Sequence, residues 1–197
     1  MHGIDGLREH RVEAAGRTDL AIARSLLLVA GVPEPDIDAR AAEVAARAVE
    51  AYAELCPADL SARVAPGIPE LLTALTARAD DFALSLVTGN LEPVARLKLA
   101  RAGIGEFFPA GQGGFGSDHH SRARLPPIAR ARYADPPWPQ DRTVVIGDTP
   151  RDIACARADG VRVAAVATGP FTVEALAEAD AVADDARSLL PVLEDWL

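Results

Sequence analysis

The sequence predicts an α/β fold: a doubly wound parallel sheet with helices on both faces, carrying a small helical cap domain. Three observations predict it. Apolar runs such as "FALSLVTGN", "RTVVIGDTP" and "VRVAAVATG" lack polar–apolar alternation, as strands buried on both faces do. Helical segments alternate with these runs, which suits crossovers between parallel strands. From Thr18 to Cys56, by contrast, the chain reads as helix throughout, without a strand signal. The chain therefore divides into a helical part, from Thr18 to about Cys56, and an α/β part after it.

The elements follow in order. "TDLAIARSLLLVAG" is a helix with Thr18 as N-cap, Asp19 in the first turn and Gly31 as the stop. "EPDIDARAAEVAARAVEAYAEL" predicts one long helix, ended by Pro57, with Ile37, Val44, Ala48 and Ala51 on one face. Pro69 opens the helix "PELLTALTARAD", and the strand "FALSLVTGN" follows. "LEPVARLKLARAG" is a helix stopped by Gly103. "GQGGFG" has the glycine spacing of a dinucleotide fingerprint but opens no helix after a strand, so it is expected to be a flexible loop lining the site. "LPPIARARY" begins a helix, "RTVVIGDTP" is strand then loop, and "PRDIACARADG" is helix up to Gly160. The strand "VRVAAVATG", a short helix in "FTVEALAEAD", a small strand in "AVADD" and the helix "ARSLLPVLEDWL" complete the chain.

Composition narrows the function. A net charge of −9 disfavours nucleic acid or an anionic membrane as a partner. Cys56 and Cys155 are the only two cysteines and stand in unrelated contexts. That argues against a disulfide framework or a cysteine-ligated metal and fits a reducing compartment. No basic-then-apolar leader is visible, and no apolar run approaches the roughly 20 residues that span a bilayer. A cytoplasmic protein is expected, monomeric or homodimeric. His119 and His120 are adjacent, so they cannot point the same way on a regular element. They are read as solvated loop residues.

Chemistry concentrates at two strand ends, where ligands of open α/β sheets bind. In "VVIGDTPRD", Asp148 ends its strand and Asp152 starts the next helix. Such a carboxylate pair suits a hard cation, magnesium, that keeps waters and meets substrate phosphate. In "SLVTGN", Thr88 offers a hydroxyl, Gly89 a free amide and Asn90 a donor and an acceptor. The helix opening near Leu91 adds N–H groups suited to an anion. Arg122, before "LPPIARARY", is a cation that can meet a phosphoryl group and a carboxylate together, with Arg124 competing by proximity.

"SLVTGN", Arg122 before an amphipathic helix, and "VVIGDTPRDIACARADG" occur in that order. On these motifs the chain resembles the haloacid dehalogenase-like hydrolase superfamily, in its phosphoglycolate-phosphatase-like branch with a helical cap. "AGRTD" and "PGIPELL" resemble the segments that lead into and out of that cap. The resemblance implies that Asp148 and Asp152 hold magnesium and that Thr88 binds a phosphoryl oxygen with Asn90 beside it. Arg122 stands where the family usually has lysine. By the same resemblance the helical cap, about residues 8–66, would close over the α/β core, residues 67–197, and select the substrate, with Arg17 a substrate-side cation.

The family also carries a first motif, Asp-x-Asp-Gly-Thr, whose first Asp attacks phosphorus and whose second is general acid and base. Its nearest match is Gly3-Ile4-Asp5-Gly6-Leu7, with glycine at the nucleophile position and leucine for threonine. The match is read as accidental. The central first strand is expected to be missing, the chain to be N-terminally truncated, and the nucleophile to lie upstream. The expected consequences are poor folding or a groove where that strand belongs, and negligible turnover. The implied function is magnesium-dependent hydrolysis of a small phosphorylated metabolite through an aspartyl-phosphate. The alternatives are a non-catalytic phosphate- or metal-binding remnant and a haloacid dehalogenase. The latter uses no magnesium and leaves the acidic pair unexplained.

Overall fold

The computed structural model describes residues 12–197. The match at Gly3–Leu7 lies outside them. α1 (Asp19–Val29) starts where expected, because the Thr18 side chain accepts from the Ala21 N–H. Gly31, at φ 81°, follows its end.

The single long helix predicted next is two. α2 (Glu34–Ala39) and α3 (Ala41–Leu55) meet at Arg40, whose φ of −114° leaves the helical range. The break turns Ile37 inward to 4% exposure, with α1, α2 and α3 mutually packed. α3 buries no residue, and Ala48 and Ala51 are exposed rather than on a buried face.

α4 (Ile68–Thr76) has its proline in the first turn and buries Leu71, Leu72 and Leu75. β1 is the short Val87–Thr88. α5 (Glu92–Arg101) carries the chain to β2 (Gly114–Phe115), which pairs parallel with β1, Val87 opposite Gly114 and Thr88 opposite Phe115. The glycine run is thus no flexible loop: it holds a strand, and Phe115 is fully buried. The glycines serve close backbone approach, since a Cβ on Gly116 would sit 2.0 Å from the Gly89 carbonyl oxygen.

α6 (Leu125–Tyr133), β3 (Val144–Gly147), α7 (Pro150–Asp159), β4 (Arg162–Val166), β5 (Ala181–Ala183) and α8 (Leu189–Asp195) complete the regular elements. The segment "FTVEALAEAD" keeps only a 3-10 turn, Glu174–Leu176. β3, β4 and β5 form a parallel sheet in that order. Successive residues of β4 face opposite ways. Val163 and Ala165 pack with Ile153, Ala156 and Leu176, whereas Ala164 and Val166 pack with Leu71, Leu75, Leu189 and Leu193. Both faces of this sheet are therefore covered, as its unalternating strands require.

The architecture is mixed α/β, with a helical cap-like region before two small parallel sheets. One continuous doubly wound sheet is not formed by the described residues: β1 pairs only with β2, and β3 only with β4. Ile146 of β3 stays 37% exposed. No helix among the described residues is long and apolar enough to cross a membrane.

Candidate functional site

Asp152 is fixed by helix capping. Thr149 is the N-cap of α7, with Pro150 in the first turn, and the two sides of a capping box are present. Asp152 Oδ2 accepts from the Thr149 N–H at 3.0 Å, the Thr149 hydroxyl at 2.8 Å and the Asp148 N–H at 3.2 Å. The residue is 3% exposed. Its other oxygen, Oδ1, accepts from the Arg122 guanidinium.

Arg122 belongs to a one-turn 3-10 helix, Arg122–Arg124, that leads into α6. Its Nε is buried without a hydrogen-bond partner. An orphaned guanidinium N–H beside a buried carboxylate is a donor waiting for an acceptor. Arg124 is exposed.

Asp148 has its carboxyl raised above the usual carboxylate range, first by burial and then by the charge of Asp152, with Arg122 opposing. A carboxylate raised by burial and by a neighbouring carboxylate is relieved by a bound cation. The donor set therefore fits magnesium, which takes one or two protein carboxylates and completes its shell with water and phosphate. Among the described residues no group of three or more His, Cys, Asp or Glu could hold a metal.

The second strand end is built differently from expectation. The Asn90 N–H donates to Thr88 Oγ1 at 3.2 Å. The Asn90 side chain, however, is engaged at both ends: Nδ2 donates to Asp19 Oδ1 at 3.0 Å, and Oδ1 accepts from Lys98 Nζ at 2.9 Å. The amides reserved for an anion at the start of α5 are also engaged, Leu91 N–H with Asp19 Oδ2 at 2.8 Å and Glu92 N–H with Ser117 Oγ at 3.2 Å. Asp19 thus substitutes for an anion at this helix terminus. Its first-turn position in α1 was visible in the sequence, but its partners lie about seventy residues away.

Residues 15–19 join the two strand ends. Gly16, at φ 67°, packs so closely on α7 that a Cβ would lie 2.7 Å from Thr149 Oγ1. The Ala15 carbonyl accepts from Arg151 Nε at 3.0 Å, and the Asp19 N–H donates to the Gly89 carbonyl at 2.8 Å. Thr18 Oγ1 donates to the His120 carbonyl at 2.7 Å. Gly89, just after β1, is thus tied through residues 15–19 to the N-terminal turn of α7, which carries Asp152, while Thr88, Asp148 and Asp152 stay out of the wall of the cavity beside them.

A cavity of about 250 Å³ opens here, with Arg17, Thr18, His120, Arg122, Arg151 and Cys155 in its wall. Arg17 lies along α1, donating to Ser25 Oγ at 2.7 Å and the Ala21 carbonyl at 3.0 Å, both neutral acceptors. Cys155 is buried, and burial pushes its thiol up. The His119 and His120 rings do point the same way, stacked at 4.5 Å in a turn rather than on a regular element. His119 Nδ1 accepts from the Ser121 N–H at 2.9 Å.

A family model described as haloacid dehalogenase-like hydrolase matches residues 3–157 of this chain. No curated protein matches it. Among solved structures, the chain is similar to one titled "The crystal structure of a hydrolase from Pseudomonas syringae". The two are 21% identical, with a TM-score of 0.59, over 80% of this chain and 72% of that one. That likeness is one of fold.

Proposed function

We propose, since this chain belongs to the haloacid dehalogenase-like hydrolase family, that its site handles phosphate monoesters with magnesium, as a phosphoglycolate-phosphatase-like hydrolase of a small phosphorylated metabolite. The observation that carries this reading is the Arg122–Asp152–Asp148 group: a guanidinium with a buried, unpartnered Nε beside two carboxylates. A phosphoryl dianion and a divalent cation together satisfy that group, and neither does so alone.

Asp148 and Asp152 would hold the cation, which when bound would neutralise phosphoryl oxygens. Arg122 Nε would donate to one phosphoryl oxygen, and the Thr88 hydroxyl with the Gly89 amide to another. Asn90 would act at one remove, locking the Thr88 turn to Asp19 and Lys98. Arg17 would be a substrate-side cation in the smaller cavity beside Arg122, and the cap, about residues 8–66, would close over the mouth. Hydrolysis in this family's manner transfers the phosphoryl group to an aspartate and then to water, releasing the alcohol with a proton. That aspartate belongs to the first motif, and its nearest match, Gly3–Leu7, lies outside the described residues.

Calorimetric titration of orthophosphate tests the binding half independently of turnover. The expected result is binding with magnesium that weakens by at least roughly tenfold in Arg122→Ala, a charge-assisted hydrogen bond being lost. Binding that ignores both magnesium and this substitution would overturn the proposal.

A further inference from the structure

A second cavity, of about 460 Å³, lies between the helical region and the loop that follows β2. Leu20, Ala23 and Leu27 of α1, three and four residues apart, face Ile37 of α2 and Ala41 and Val44 of α3 across it. Leu27 and Ile37 are buried at its back. The volume falls within the roughly 300–1,000 Å³ of small-molecule pockets.

Charge on its lining is already matched. Arg24 pairs with Asp38 and also with Glu34 at 2.6 Å, and Asp118 is held by Arg132 at 2.6 Å. His120 is in the wall of this cavity and of the smaller one that contains Arg17 and Arg122. His120 is the residue common to both walls, so a ligand spanning it would meet Arg17 and Arg122 on one side and aliphatic side chains on the other.

We infer that the leaving group is an apolar alcohol, aliphatic or aromatic, seated among α1, α2 and α3; this rests on the phosphate-ester reading above. A small hydroxy acid would bring a carboxylate to a wall whose one arginine already serves two carboxylates, so its desolvation would go uncompensated. An apolar body instead gains roughly 25 cal/mol for each Å² it removes from water.

Calorimetry with magnesium compares 1-naphthyl phosphate with 2-phosphoglycolate, and fluorescence follows 1-naphthol alone. The naphthyl ester is expected to bind at least roughly tenfold tighter, about 1.4 kcal/mol. Ala23→Trp and Ala41→Phe, which fill the cavity from opposite walls, are each expected to abolish that preference and the binding of 1-naphthol, with folding checked by circular dichroism. Equal affinity for the two esters, or 1-naphthol binding unchanged in both folded variants, overturns the inference. Naphthol binding lost in the variants, with neither orthophosphate nor either ester bound, supports the apolar cavity while overturning the phosphate reading.

Discussion

At the scale of single residues, Asp152 does two things at once: it closes the first turn of α7 and it presents Oδ1 to Arg122. Thr149 holds it in that posture. Thr149→Ala removes the N-cap acceptor and one donor to Asp152, so it is expected to cost about 1–2 kcal/mol. At roughly 2–4 °C per kcal/mol for a chain of this size, a thermal melt resolves it. Asp148 pulls the other way. Its carboxyl is raised in the fold, so the folded state binds the proton more tightly than the unfolded state. Its cost to stability is absent below the unfolded value near 3.9, grows as pH rises through the window up to the folded value, and is complete above it. Asp148→Asn in chelator is therefore expected to melt above the wild type at pH 7 and level with it at pH 3, and to lose the stabilisation that magnesium gives the wild type. The acidic pair was legible in the sequence because strand, turn and helix N-terminus fix its geometry locally. The Asn90 side chain was not, because Asp19 and Lys98 decide what it does, and Asp19 reaches it from another element.

At the scale of elements, β4 and β5 are held in register partly by Asp180, whose carboxylate accepts from the Val163 N–H at 2.8 Å and from Arg157 at 2.9 Å. The Arg157 hydrogen bond, with help from Val163, keeps this carboxyl below the usual range in spite of burial. Its stabilisation is present above the unfolded value near 3.9 and is lost as pH falls through the folded value. Asp180→Asn should lower stability at pH 7 by only about 1 kcal/mol, since the pair is partly exposed and screened. The difference should close as pH falls through the folded value, which chemical denaturation followed from pH 7 into the acid range checks. Helix ends with proline, threonine or glycine were readable from sequence: Thr18, Gly31, Pro69 and Gly160 all mark real boundaries. The break at Arg40 was not, for no glycine or proline marks it; it coincides with the burial of Ile37 against the neighbouring helices. "GQGGFG" was misread for the same reason. Gly116 answers to the Gly89 backbone and Gly114 to that of Leu125, tertiary approaches that no local spacing reveals.

At the scale of the whole molecule, the α/β class and the order of elements were legible because each follows from local apolar runs and helix stops. The division into two sheets was not, since strand pairing is settled by tertiary contacts. At this scale too, Thr88 on one sheet and Arg122 beside the other are proposed to serve a single anion. A double-mutant cycle on orthophosphate binding with magnesium, using Thr88→Val, Arg122→Ala and the pair, measures it directly. One shared anion predicts that the two losses are coupled by about 1 kcal/mol or more. Losses that simply add, or a Thr88→Val variant that binds like the wild type, would contradict a site built from both strand ends.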